Sequence, residues 1–360
     1  MKKEQIIFLH IPKTAGTTLR NIVYAQHGET KVAPIYQDKW YIEIKEFSQL
    51  SDERKNQANV IMGHFFYGFH NKLSGNRPYR YATMLRNPIA RCLSLYNHLN
   101  NKQAHNSLSL QELLKTPTGS QFINGQSSLI SGSHGFNFQK KSTELLKQAL
   151  KNIESHFAFV GLTERFNESM LLAHHQLGWK LQPYETRNTA KQWPVNYAEE
   201  LKNDKEAMDL LAELNQTDML LYEYVETRFT DLLNEMYPDL QDRLSQFEES
   251  LGKQSTTAKG IGNLGKLQES KIVGWAKLLH NDNPAKVGIN INDGEEMVAN
   301  AVIRREDLIH LHYTGRCGFA LKLSQGVRLK QGDRVSAYII NADNTPLNHS
   351  PRIFGENEQA

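Results

Sequence analysis

The sequence predicts an α/β fold with a parallel sheet flanked by helices, followed by a small C-terminal all-β sandwich domain. Up to residue 251, apolar segments of strand length alternate with segments of helical periodicity. Residues 252–268 are small, polar and glycine-bearing, as is typical of a linker. Beyond the linker, short strand-like segments are separated by turn residues. The predicted domains are therefore 1–251 and 269–360.

Residues 1–251 contain four predicted strands and five predicted helices. The strands are short apolar segments at 5–11, 60–62, 79–85 and 157–160. Two helices begin near Thr17 and Pro88, and the others span 164–177, 204–214 and 218–236. Asn87 and Pro88 suit the N-cap and the first position of a helix. This alternation indicates a parallel sheet with helices on its faces.

Short strand-like segments dominate residues 269–360. They span 272–276, 286–291, 297–303, 318–323 and 334–340. Asn292-Asp293-Gly294 and Gln331-Gly332-Asp333 are turn sequences between them. Many short strands joined by such turns predict a β-sandwich.

The composition excludes several classes of function. Of 360 residues, 39% are apolar and 22% charged, and the net charge of +3 argues against a nucleic-acid partner. The two cysteines lie far apart and form no Cys/His cluster, so no metal is predicted. No apolar stretch approaches the ~20 residues of a membrane span, and the N-terminus lacks a signal-peptide pattern. We therefore expect a cytoplasmic protein without an integral membrane segment.

The segment 12–18, PKTAGTT, has the features of a phosphate-binding loop. It lies between a buried strand and a helix, so backbone N–H groups and the positive end of the helix dipole point at one place. Gly16 lets the backbone approach a phosphate closely, and Lys13 adds a positive charge. The three threonine hydroxyls add hydrogen-bond donors. The segment predicts a P-loop-like site for a phosphate-like anion.

The order of residues in this loop differs from that of the common nucleotide-triphosphatase loop. The pattern GxxxxGK[ST] places the lysine after the last glycine, beside a hydroxyl residue that binds magnesium. Here Lys13 precedes Gly16, and no earlier glycine is present in the segment. This order argues against a nucleotide kinase. A plain strand-to-helix turn that contains a lysine is the other alternative.

A second basic signal, LRNPIARCLSLY, spans residues 85–96. Arg86 follows a strand and is expected at the carboxyl edge of the sheet, where open α/β sheets bind ligands. Its guanidinium can hold a phosphate through two hydrogen bonds. Ser94 lies two turns into the next helix, on the face that also carries Arg91 and His98. Taken alone, the motif is also compatible with a surface arginine.

His64 is the candidate general base. It follows the strand 60–62 in the sequence GHFFYG, and a neutral histidine can accept a proton near physiological pH. The alternative is a structural histidine packed against the neighbouring aromatic residues, in a chain with 14 histidines. His10, in the strand before the loop, is interpreted as a core histidine.

The two basic motifs together resemble those of a known family. FLHIPKTAGTT, residues 8–18, is similar to the 5′-phosphosulfate loop of the carbohydrate sulfotransferases, in the group of the heparan sulfate 2-O- and 6-O- and the chondroitin and dermatan enzymes. The arginine and serine of 86–94 resemble the 3′-phosphate motif of that family. The resemblance covers about 6–237. It implies the donor 3′-phosphoadenosine 5′-phosphosulfate (PAPS), the product 3′,5′-adenosine bisphosphate (PAP) and no metal.

The resemblance implies a role for each matching residue. Lys13 would contact the 5′-phosphosulfate and its bridging oxygen, while Arg86 and Ser94 would hold the 3′-phosphate. The residues that would surround the 5′-phosphate are Thr14, Ala15, Gly16, Thr17 and Thr18.

Two further positions are implied less directly. His64 resembles the catalytic histidine of the 2-O-sulfotransferases, whereas other branches of the superfamily use a glutamate elsewhere. Asn188 and Lys191 lie in a segment that resembles a loop closing over the donor, and a polar surface loop explains them equally well.

These residues predict a sulfotransferase that acts on a hydroxyl of a carbohydrate acceptor, with polysaccharides among the candidates. The alternatives are a catalytically inactive glycan-binding protein on the same scaffold and, with less support, a nucleotide kinase. The C-terminal segments around Trp275 and Phe319 resemble β-sandwich modules of bacterial glycan-modifying enzymes. No ligand is assigned to that domain, and the oligomeric state is not predicted.

Overall fold

The buried apolar segments near the N-terminus form a five-stranded parallel sheet, as the sequence predicts. Its strands, in the order β2-β3-β1-β4-β5, are β1 (Gln5–Leu9), β2 (Val32–Ile35), β3 (Val60–Gly63), β4 (Tyr79–Leu85) and β5 (Phe157–Leu162). The register pairs Leu9 with Gly63 and with Thr83, and it pairs Leu85 with Leu162. The residues that follow β1, β3, β4 and β5 therefore lie along one edge of the sheet.

This computed structural model describes residues 4–36, 42–73, 75, 77–102, 107–133, 142–184, 195–251, 259–279, 284–309, 314–324 and 326–355. The chain divides into two compact units, one made of 1–19 with 45–254 and the other of 20–44 with 255–360. The domain boundaries 1–251 and 269–360 stay a prediction.

Helices accompany the strands of the parallel sheet. In the described ranges they are α1 (Gly16–His27), α2 (Ile44–Gln49), α3 (Asp52–Gln57), α4 (Pro88–Lys102), α5 (Leu110–Leu114), α6 (Gly125–Ser131), α7 (Ser142–His156), α8 (Phe166–Leu177), α9 (Tyr197–Lys202), α10 (Lys205–Leu214), α11 (Gln216–Met236) and α12 (Leu240–Leu251). α4 begins where the Asn-Pro pair predicts, and the Asn87 side-chain oxygen accepts the Ala90 N–H at 3.1 Å. None of these helices is long and apolar enough to cross a bilayer.

The C-terminal region folds as two antiparallel sheets. The first, in the order β10-β11-β7-β6, contains β6 (Gly260–Leu264), β7 (Lys271–Leu278), β10 (Ile303–Arg304) and β11 (Arg316–Lys322). The second contains β8 (Lys286–Ile291), β9 (Met297–Asn300), β12 (Arg334–Ile339), β13 (Thr345–Pro346) and β14 (Arg352–Ile353). Side chains from both sheets, such as Ile272, Phe319 and Val335, share one buried cluster. Burial of this shared apolar surface stabilises the pair of sheets.

Two predicted elements of this region differ from the structure. The segment predicted as one strand at 297–303 is two strands, because β9 and β10 belong to different sheets. The predicted linker 252–268 contains the strand β6. A Cβ at Gly262 would lie 2.5 Å from Leu347 and 2.6 Å from the Trp275 carbonyl oxygen, so this glycine permits close packing rather than flexibility.

Candidate active site

The carboxyl edge of the parallel sheet collects the residues that the sequence singles out. His10 and the loop 12–15 follow β1, His64 follows β3, and Arg86 follows β4. Residues after neighbouring parallel strands meet at one edge because each strand ends in the same direction, which is where open α/β sheets bind ligands. The fold therefore brings the predicted phosphate loop, the predicted base and the second basic motif together.

The loop before α1 has a backbone shape suited to an anion. Lys13 has φ 73° and Ala15 has φ 59°, both in the left-handed region that non-glycine residues seldom adopt. The Thr14 hydroxyl donates to the Ile11 carbonyl oxygen at 2.8 Å and so stabilises the turn itself. Alternation of backbone handedness turns successive N–H groups toward one concave side, which is a common anion-binding arrangement. Thr17 and Thr18 lie in the first turn of α1.

The packing of a histidine against the loop favours glycine at position 16. A Cβ on Gly16 would lie 1.5 Å from Nε2 of His10, far inside van der Waals contact. The His10 side chain is buried, in agreement with its interpretation as a core histidine. Its ring therefore fills the space beside the loop that any larger residue at position 16 would need.

His10 also contacts the candidate base. The ring centroids of His10 and His64 are 4.6 Å apart, with the planes tilted by 52°. The backbone N–H of His10 donates to the Gly63 carbonyl oxygen at 2.9 Å, which extends the pairing of β1 and β3 to the residue before His64. His64 itself is exposed. The predicted base thus contacts the residue that packs on Gly16 and has an exposed side chain.

Arg86 lies against the loop from the other side. Its Nη1 donates to the Lys13 carbonyl oxygen at 3.2 Å, and its Nε is 3.9 Å from a carboxylate oxygen of Glu164. Burial lowers the pKa of the Arg86 guanidinium, and Glu164 opposes that effect. The Glu164 carboxylate also accepts the Asn87 N–H at 3.0 Å and the Tyr222 hydroxyl at 3.0 Å. These contacts restrict the positions that the arginine can adopt.

The site has an excess of positive charge. Burial, together with the charges of Arg86 and Lys102, lowers the pKa of Lys13 to about 8. Burial, together with the charges of Lys13 and Lys102, lowers the pKa of His98 to about 4. His98 is therefore neutral at pH 7, whereas Lys13 is still mostly protonated. Such a cluster of cations favours binding of a multiply charged anion.

The other residues named in the sequence analysis have different surroundings. Ser94 is half-buried in the second turn of α4. Arg91 is buried, and its guanidinium donates to the Gln121 carbonyl oxygen at 2.6 Å. Asn188 and Lys191 lie outside the described residues. In the described part of the chain, no group of three or more His, Cys, Asp or Glu side chains could hold a metal ion.

The sequence alone did not predict that two further residues, Gln126 and Glu164, contact Arg86. Gln126 is fully buried and is hydrogen-bonded to the backbone of Arg86, and Glu164 contacts its guanidinium. Both lie far from Arg86 in sequence, so only the folded chain brings them together. The available signal was that the segments 121–126 and 160–164 resemble segments that recur in the same sulfotransferase group.

One protein family model matches the chain. The model of the sulfotransferase family matches residues 1–225, a range that contains β1–β5 and each of the site residues described above. No curated protein matches the chain. The matched range is more than half of the 360 residues. The chain belongs to the sulfotransferase family.

Proposed function

We propose that the protein transfers a sulfuryl group from PAPS to a hydroxyl of a glycan or glycoside acceptor, and that this activity resides in residues 1–251. The observation that carries the proposal is the meeting of two basic motifs beside a histidine. Arg86 contacts the carbonyl oxygen of Lys13 at 3.2 Å, and His64 lies against His10, which packs on Gly16. A donor with a phosphate at each end of its ribose suits two separate basic groups.

The residues of this edge fit such a donor. The loop 13–18 offers backbone N–H groups and the Lys13 ammonium, which would hold the 5′-phosphosulfate. Arg86, with Ser94 on α4, would hold the 3′-phosphate. When bound, PAPS supplies the activated sulfuryl group.

Two side chains have separate roles in the proposed reaction: His64 transfers a proton and Lys13 stabilises negative charge. In the proposed in-line displacement, the acceptor oxygen forms a bond to sulfur while the bond from sulfur to the bridging oxygen breaks. His64 accepts the proton that the acceptor hydroxyl loses. Lys13 stabilises the electron pair that moves onto the 5′-phosphate oxygen, and its partial burial strengthens that interaction.

Thermal unfolding with PAP tests the donor site. At 100 times its dissociation constant, PAP should stabilise the wild type by about 2.7 kcal/mol, whereas ATP–magnesium should give a much smaller shift. Lys13→Ala and Arg86→Ala should each lose most of the PAP shift. Arg80→Ala is the matched control, since this exposed arginine pairs with Glu4 near the opposite end of β4 and should keep it.

The other outcomes of this experiment have distinct meanings. A shift with ATP–magnesium alone would support a nucleotide kinase. No shift with either ligand would overturn the donor site and leave a glycan-binding protein on an inactive scaffold.

We expect PAP affinity to decrease as the pH rises above about 8. Lys13 has a lowered pKa of about 8 in the free protein, and the phosphates favour its protonated form. Below pH 8 that charge is already present, whereas above it PAP must bind with uptake of one proton, so Kd should rise about tenfold per pH unit. Titration calorimetry from pH 7 to 9.5 measures this slope. The slope should disappear in Lys13→Met, and an equal slope in that variant would assign the proton to another group.

A further inference from the structure

The backbone of Arg86 is held by a side chain from another part of the chain. The N–H of Arg86 donates to Oε1 of Gln126 at 3.0 Å, and Nε2 of Gln126 donates to the Arg86 carbonyl oxygen at 2.8 Å. Gln126 lies in α6 and is fully buried. Its amide therefore pairs with both backbone polar groups of Arg86, just beyond the end of β4, as a neighbouring strand would.

Gln126 is held in turn by Asp218. The buried Asp218 carboxylate accepts the N–H of Gln126 at 2.9 Å and the N–H of Ser127 at 2.7 Å. The side-chain oxygen of Asn124 accepts the Asp218 N–H at 3.1 Å, so the start of α6 and the start of α11 are bonded in both directions. Hydrogen bonds to a buried carboxylate are among the stronger ones in proteins.

These contacts matter because Arg86 stands at a junction. The strand β4 ends at Leu85 and α4 begins at Pro88, so two residues set the direction of the arginine side chain. Glu164 and the Lys13 carbonyl oxygen contact the Arg86 guanidinium. Among the side chains of the described residues, Gln126 is the one that hydrogen-bonds to the Arg86 backbone, from which the arginine side chain extends. A shift of about 1 Å in such a group is enough to weaken a phosphate contact substantially.

We propose that Gln126 is a positioning residue for Arg86, held in place by Asp218, and that selection of a nucleotide with a 3′-phosphate depends on this pair. The inference rests on the proposed donor site, in which Arg86 binds the 3′-phosphate. Gln126 acts through Arg86, whose guanidinium would bind the 3′-phosphate directly and reaches the 5′ end only through its hydrogen bond to the Lys13 carbonyl oxygen. The inference therefore predicts a larger effect on ligands that carry a 3′-phosphate than on ligands that carry a 5′-phosphate alone.

Titration calorimetry with PAP and with 5′-AMP tests this inference. AMP has the 5′-phosphate of PAP but lacks the 3′-phosphate. Gln126→Met keeps the side-chain length and removes both hydrogen bonds to Arg86. We expect it to weaken PAP binding about tenfold, the effect of losing one or two hydrogen bonds, and to change AMP binding by less than about twofold. Asp218→Asn, which loses one acceptor, should shift the ratio of the two affinities in the same direction by less.

Two further variants separate positioning from general destabilisation. Asn152→Ala removes a buried hydrogen bond to the Ile130 carbonyl oxygen at the other end of α6, so it should lower Tm without changing the PAP-to-AMP ratio. In an Arg86→Ala background, Gln126→Met should have no further effect on PAP affinity, since the group that it positions is gone.

The result decides between three cases. Selective loss of PAP affinity in Gln126→Met, absent in the Arg86→Ala background, supports the inference. An equal loss for PAP and AMP, or no loss for either, overturns it. A wild type that binds PAP no better than AMP overturns the donor-site proposal itself and the inference with it.

Discussion

His64→Ala should lower kcat by about 10²–10⁴-fold while leaving PAP affinity within about twofold, because the proposed base acts on the acceptor and not on the donor phosphates. The side chain is exposed and touches the His10 ring, so its removal leaves no buried cavity. PAP formation from PAPS is the measurement, with the glycan that gives the highest wild-type rate in an acceptor screen. Added imidazole should restore part of the rate.

The control is His175→Ala, an exposed histidine on α8 outside the site, which should retain the wild-type rate. A His64→Ala variant as active as the wild type would assign the proton to another group. A variant that loses PAP binding as well would place His64 among the donor contacts.

Gly16→Ala should weaken PAP binding by about 10–100-fold, the effect of losing one charge-assisted hydrogen bond, and should destabilise the fold by about 1–3 kcal/mol through overpacking. The new methyl group would lie 1.5 Å from Nε2 of the buried His10 ring. Either the ring or the start of α1 must move, and the loop N–H groups move with the helix. Calorimetry with PAP and thermal unfolding measure the two effects.

A second-site variant tests the steric explanation directly. In His10→Ala/Gly16→Ala the clash is absent, so the double variant should bind PAP more tightly than Gly16→Ala alone. Additive losses in the double variant would show that position 16 needs glycine for a reason other than the His10 ring.

The fold was readable from the sequence where the pattern is local. The segments 79–85 and 286–291 were predicted with the bounds that β4 and β8 have, because dense apolar residues and turn signals mark both ends. β2 was not predicted, since it is four residues long and contains Pro34, which lacks an N–H for the ladder. The crossing from β9 to β10 was missed because periodicity shows which residues are buried but not in which sheet.

For the candidate site, too, the sequence predicts short motifs but not contacts between residues that are distant in the chain. Lys13, Gly16 and Arg86 are visible in short motifs, since a strand, a turn and a helix start follow one another within a few residues. The hydrogen bonds that hold Arg86 in place could not be predicted from the sequence. Gln126 is 40 residues from Arg86 and Asp218 is 92 residues from Gln126, and neither spacing has a local signature. The sequence predicts His10 as a core residue, and it does not predict that the His10 ring contacts both Gly16 and His64.

The long link from Arg86 through Gln126 to Asp218 also bears on how the protein is made. β1, β3 and β4, with the loop and His64, leave the ribosome well before α11 is synthesised. The carboxylate that holds Gln126 arrives only with residue 218, and closing so long a segment of chain is entropically costly and slow. A nascent chain can therefore form the loop before α1 early, and the order of synthesis makes the surroundings of Arg86 one of the last parts of the N-terminal region to be completed.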